Sequence, residues 1–170
     1  MTTNTQLYTL NYDEVKTYLW TAAFVVANMA LPQLFHLIPQ GGIMFAPLSF
    51  VILAGSYKFG WKAGLLAALA SPVVNNLVFG APAWGVVPVM ALKLAFLAVA
   101  AGLTAQYFKK VNLLLLTGVV MTAELLGGLS ELALTGGISA TIADFTIGWP
   151  GLLLQVFGTY ALLVFSAKKN

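Results

Sequence analysis

Three ionisable side chains fall inside otherwise apolar runs of this chain: Lys93, Glu124 and Glu131. At the centre of a membrane helix such a group costs about 2.5–3.5 kcal/mol on insertion scales, so one that is kept there needs a partner or a guest. Lys93 follows Trp84 by nine residues, roughly 13 Å of helix. Glu124 and Glu131 are seven residues apart, which puts them on one helical face about 10 Å apart along the axis. If the two segments run antiparallel, Lys93 falls at a depth between the acids. One reading is a buried ion pair that orients helices and binds nothing. The other is a polar pocket, because one Lys neutralises one Glu and leaves an acid for a proton, water or ligand. In that pocket Lys93 grips a carboxylate, or a Glu holds an amine or hydroxyl. Such a mixture of signs slightly favours a zwitterion or carboxylate over a neutral aromatic.

Uncharged polar groups extend both readings. Ser71, Asn75 and Phe79 recur every four residues and form one stripe, with Asn76 beside it and Pro72 as a possible kink. Amides in lipid join helices or touch a ligand, and the same choice applies to Gln155. Gln40 lies in the Gly/Pro-rich stretch Ile38-Pro39-Gln40-Gly41-Gly42, and Trp149 opens Trp149-Pro150-Gly151. His36 is the single histidine, either a capping group or a ligand contact. No second His or suitably spaced carboxylate accompanies it, so no metal site is expected. There is no Cys, and no G-x-S-x-G, Walker A or H-E-x-x-H. The expectation is a non-enzyme that cannot hydrolyse ATP by itself and needs no cofactor.

The elements that must position these groups follow from composition. Hydrophobic residues are 60% of 170 and charged residues 8%, with a mean hydropathy of +0.91. Soluble domains carry about 45–50% apolar and about 25% charged residues, and a small soluble fold cannot hide this excess. An all-α integral membrane protein is therefore expected, a single transmembrane domain over 1–170. Apolar runs place six spans near 17–36, 43–58, 61–79, 85–107, 111–134 and 149–167. The second is short and merges easily with the loop before it. The net charge of +3 does not point to nucleic acid, because the Lys residues are dispersed and no Arg is present for bidentate readout.

Lys16, Lys58, Lys62, Lys109, Lys110, Lys168 and Lys169 all fall on one side of such a bundle, and the loops near 37–42, 80–84 and 135–148 contain none. The positive-inside rule then puts both termini in the cytoplasm. Trp20, Tyr57, Trp61 and Tyr107 suit an inner aromatic belt, Trp84 and Trp149 an outer one. The first apolar run is expected to be retained rather than cleaved, because Asp13 and Glu14 precede it where a signal peptide is basic. The outer loops are rich in Gly and Pro, as ordinary turns or as the lid of an outward pocket. No internal repeat is evident. Ala23 and Ala27 make a small-xxx-small step on the first run, with Ala63, Ala67 and Ala70 as alternatives.

The ordered set Gln40-Gly41-Gly42-Ile43-Met44-Phe45-Ala46-Pro47, Leu53-Ala54-Gly55, Phe59-Gly60-Trp61-Lys62-Ala63-Gly64, Ser71-Pro72 and Phe79-Gly80-Ala81-Pro82 resembles the second and third helices of the S components of energy-coupling factor (ECF) vitamin transporters. The likeness extends to size and to spans with both ends inside. It implies a prokaryotic cell-membrane protein that captures a water-soluble vitamin or related micronutrient from outside. Delivery inward then takes a membrane coupling subunit and two cytoplasmic ABC ATPases. It places the pocket among the last three spans and the loop after the first, where Lys93, Glu131, Gln155 and Gln40 lie. In that family an Ala-x-x-x-Ala step on the first helix meets the coupling subunit, which Ala23 and Ala27 match. The competing expectations are a stand-alone secondary transporter with Glu124 or Glu131 as proton site, and a membrane enzyme or assembly factor with no identifiable reactive group.

Overall fold

A computed structural model describes residues 7, 9–35 and 37–167. His36, and the Lys168 and Lys169 used in the topology argument, lie outside the described residues. Among the described residues every regular element is a helix: α1 Val15–Phe35, α2 Gly41–Phe45, α3 Pro47–Phe59, α4 Trp61–Phe79, α5 Val87–Phe108, α6 Leu113–Thr135, α7 Ser139–Thr146, and a last rod made of α8 Trp149–Leu153, a π-helical turn Leu154–Gly158 and α9 Thr159–Ala167. Five of these helical stretches are long and apolar enough to cross a membrane: Val15–Phe35, Trp61–Phe79, Val87–Phe108, Leu113–Thr135 and Trp149–Ser166.

The expected second span, 43–58, divides into α2 and α3. The break falls at Ala46, which leaves the helix in the left-handed region with φ 41° and ψ 55°. Pro47 follows as the first residue of α3, where its missing N–H costs no helical hydrogen bond. What remains, α3, has 13 residues, about 20 Å against a hydrocarbon thickness of about 30 Å. It lies at the centre of the bundle. Val51 through Tyr57 are all buried, so the helix meets protein on every side. Around it α1 packs on α4, α4 on α5 and α5 on α6, with the last rod against α3 and α6.

Chain-terminal signals are satisfied as the sequence dictates. Asn112 caps α6 by accepting from the Leu114 N–H at 3.0 Å. The Asn11 N–H donates to Glu14 at 2.9 Å ahead of α1. Gly60, at φ 98°, turns α3 into α4 in a backbone conformation that side chains resist. One end of the bundle collects Lys58, Lys62, Lys109 and Lys110. There Tyr57 donates to the Lys110 carbonyl at 2.6 Å, and Lys62 to Asn11 at 2.6 Å. Trp20 stacks on Phe59 with ring centroids 3.8 Å apart.

The surface reverses the pattern of a soluble protein. Leu77, Leu114 and Phe165 are 69%, 77% and 70% exposed, while Thr17, Asn28, Ser71, Asn75, Gln155 and Thr159 are buried. Such a wide apolar exterior belongs in lipid, where interior polar groups join helices. The Asn28 side chain donates to Ser71 Oγ at 2.9 Å. Asn75 Nδ2 donates to the Asn28 carbonyl at 3.0 Å and the Ser71 carbonyl at 2.9 Å, fastening α1 to α4. Close packing of α4 and α5 depends on Gly102, where an added Cβ would meet the Trp61 backbone N at 2.3 Å. Gly102→Leu is therefore expected to destabilise the bundle by about 1–3 kcal/mol, the usual cost of overpacking. Thermal unfolding of the detergent-solubilised chain measures this, and an unchanged midpoint would contradict the packing described.

Candidate functional site

At the end of the bundle opposite the Lys residues, the helices part around a cavity of about 400 Å³. Its walls come from α1 (Pro32, Gln33), the α2–α3 corner (Gly42 to Ser49), α4 (Asn75, Phe79), α5 (Val86 to Leu97), α6 (Ala123, Glu124), α7 (Ala143, Asp144) and the last rod (Leu152, Gln155). Most of these are apolar. The polar exceptions converge from different helices, as in ligand sites, which commonly enclose about 300–1,000 Å³.

The sequence-derived candidates distribute unevenly. Lys93, Glu124, Asn75 and Gln155 all reach the cavity wall. Glu131 is buried off that wall. Its Oε2 accepts from the Thr141 backbone N–H at 2.8 Å and the Thr141 hydroxyl at 2.6 Å. Asn76 is buried and donates to the Pro82 carbonyl at 2.6 Å, tying the end of α4 to the loop that leads to α5. Gln40 is exposed at the start of α2, with φ 57°. Trp149 is exposed at the start of α8. Neither belongs to the cavity wall. Ala23 is exposed on α1 and Ala27 half-buried against the core.

Asp144 is the charged group that sequence reasoning missed. The stretch 135–148 read as a loop, but Ser139–Thr146 folds into α7 and swings Asp144 against Lys93. The Lys93 ammonium donates to Asp144 Oδ2 at 2.6 Å, while Glu131 Oε2 is 3.8 Å away. Lys93 thus answers two carboxylates, not one. Asp144 is the only acid after Glu131, so the signal was a lone charge in a stretch otherwise poor in charge.

Two adjacent glycines make this arrangement possible. A Cβ at Gly127 would meet Lys93 Cγ at 2.6 Å, and one at Gly128 would meet Thr141 Cγ2 at 3.0 Å. The bare surface of α6 therefore admits the Lys93 stem and the Thr141 side chain of α7 one step apart. Gly148 likewise allows the chain to turn tightly past the Asp144 backbone, where a Cβ would fall 2.6 Å from its carbonyl oxygen.

Other polar atoms on the wall lack such partners. Glu124 Oε2 is buried with no hydrogen-bond partner among the described residues. Both side-chain polar atoms of Gln155 are in the same condition, although the residue is only 1% exposed. Gln155 belongs to the π-helical turn, a distortion found frequently at functional sites. Among the described residues no group of acids and histidines could hold a metal ion.

No family model, curated protein or solved structure matches this chain.

The Lys93–Asp144 pair and the Gly127 slot are expected to act as one unit. Asp144→Asn alone should cost about 1–2 kcal/mol, between the values of exposed and buried pairs. In a Gly127→Val background, where the Lys93 stem is already displaced, the same change should cost under about 0.5 kcal/mol. Unfolding measurements on the single and double variants decide, and additive costs would separate the two features.

Proposed function

We propose that the chain is the solute-capturing subunit of an importer, similar to an ECF S component, and is not itself an enzyme. It binds a small water-soluble micronutrient in the cavity described above and hands it inward with a membrane coupling subunit and two ABC ATPases. The observation that carries this reading is the cavity. Its walls are apolar, it lies at the Lys-poor end, and Glu124, Gln155 and Asn75 reach it from separate helices. The sequence adds that no nucleotide-binding motif is present, and in this reading the partner ATPases supply the energy.

In this reading α3 is a sixth, short crossing encased by the others, and both termini are cytoplasmic in a prokaryotic membrane. The distribution of Lys supports that orientation. Ala23, exposed on α1, is the natural contact for the coupling subunit. Ala27 is half-buried, so a large group there disturbs the core as well.

A second reading is favoured by one specific observation, the buried and unpartnered Glu124 oxygen. A carboxyl group in such surroundings suits a proton site, which makes a stand-alone proton-coupled transporter the alternative. Proton-dependent solute flux by the purified chain in vesicles would establish it. Flux that requires ATPases and a coupling protein would exclude it.

Capture predicts that the purified chain carries a small molecule identifiable by mass spectrometry, and that Val89→Trp, which fills the cavity, removes it from folded protein. Recovery of an undiminished amount from that variant would place the solute elsewhere. Ala23→Trp is expected to leave binding unchanged and abolish uptake by cells. Normal uptake at normal expression would reject the α1 docking face. Because the chain has no Cys, Lys109→Cys and Gly137→Cys report orientation cleanly. An impermeant maleimide applied outside intact cells should label the second and spare the first.

A further inference from the structure

Building on the capture reading, we infer that the cavity selects a flat, positively charged nitrogenous solute of the amidinium or protonated amino-heterocycle type, with Glu124 as its counter-ion and the Gln155 amide as its orienting partner. The charge inventory is the first support. Among the described residues the single cation on the wall, Lys93, is held by Asp144 at 2.6 Å, with Glu131 a further 3.8 Å contact. A ligand carboxylate arriving there would compete with two resident carboxylates for one ammonium. Glu124 adds another acid to the same wall, so the site holds more carboxylates than ammonium groups. An anionic guest is penalised, and a cationic one restores the balance.

Hydrogen-bonding capacity is the second support, independent of charge. Glu124 Oε2 is buried and accepts from nothing among the described residues, so it calls for a donor. Gln155 is 1% exposed, lines the cavity and leaves both its N–H₂ and its carbonyl without partners. Buried amides are ordinarily satisfied on both sides. A guest that meets both must present an acceptor and a donor, as an amino-substituted ring edge with an unprotonated ring nitrogen does, whereas an amidinium, which only donates, answers Glu124 and the Gln155 carbonyl. The remaining wall fixes the shape. Val89, Met90, Leu94, Leu97 and Leu152 give apolar surface with few polar atoms, which suits the face of a ring.

Three isosteres separate charge from shape: benzamidine, cationic at neutral pH; benzamide, neutral; and benzoate, anionic. Titrated into the purified chain by calorimetry, benzamidine is expected to bind about tenfold more tightly than benzamide, with benzoate weakest. Glu124→Gln should bring benzamidine to within about twofold of benzamide. Gln155→Leu should weaken both about fivefold and keep their ratio. Equal binding of the three, preference for benzoate, or no saturable binding by any of them overturns the inference. A tenfold preference that survives in Glu124→Gln overturns the assignment of the counter-ion. The ranking on the unaltered chain decides the charge preference even where a variant fails to fold. None of these outcomes touches the capture reading, which is decided separately by the co-purified molecule.

Discussion

One ammonium group inside an apolar bundle constrains everything around it. An ammonium group among leucines is costly unless carboxylates match it, and removing either member of such a pair leaves an uncompensated charge. Neither Glu of α6 supplies the short contact. It comes from Asp144, on a helix of eight residues too brief to be stable alone. The pair therefore works in both directions. Asp144 settles Lys93, and Lys93, with the Thr141 contacts to Glu131, holds α7 over the bundle. Gly127 and Gly128 are the steric condition for this, since any side chain there displaces either the Lys93 stem or Thr141. The result is that α7 becomes one wall of the cavity.

Polar groups inside a membrane bundle have no bulk water to fall back on, so each must be satisfied internally or by something that enters. Most are satisfied internally, although Asn28 Oδ1, Ser56 Oγ and Thr159 Oγ1, away from the cavity wall, are also buried without a hydrogen-bond partner among the described residues. Asn28, Ser71 and Asn75 are spent joining α1 to α4. Asn76 is spent on the loop after α4, Tyr57 on the turn after α5, and Glu131 on α7. Their hydrogen bonds are short and local to element junctions, and they explain the architecture without any guest. Glu124 and Gln155 are different. They lie on the cavity wall with buried polar atoms that nothing described in the protein answers. The π-helical turn adds to this contrast, because a regular helix would place Gln155 at a different angle.

Much of the architecture could be read in the sequence, because apolar runs bounded by Gly, Pro and Lys are strong signals. The runs at 61–79 and 111–134 nearly coincide with α4 and α6. The run at 43–58 is divided at Ala46, where the backbone turns left-handed just ahead of Pro47, and hydropathy averages conceal such a break. The site was less legible. Lys93, Glu124, Asn75 and Gln155 stand out because they are polar within apolar stretches, and depth alone brings them near one cavity. Asp144 stands in a stretch that looked like loop, and short amphipathic helices that depend on a tertiary ion pair leave little local trace. Asn76, Gln40 and Trp149 have the right depth or composition, but side-chain direction assigns the first to a loop carbonyl and the others to the surface.

The late appearance of Asp144 changes the chemistry expected of the solute as well as the fold. From sequence alone, one Lys faced two Glu, and Lys93 remained available to grip a carboxylate. With Asp144 at 2.6 Å and Glu131 within 4 Å, that ammonium is already engaged on the protein side, and the excess of acids over Lys93 grows from one to two. A carboxylate guest would have to displace Asp144, which would also release α7 and open the wall it forms. A cationic guest on Glu124 disturbs neither. The same contact that closes the cavity thus argues against an anion entering it, and the preference for positive charge follows from how the wall is built.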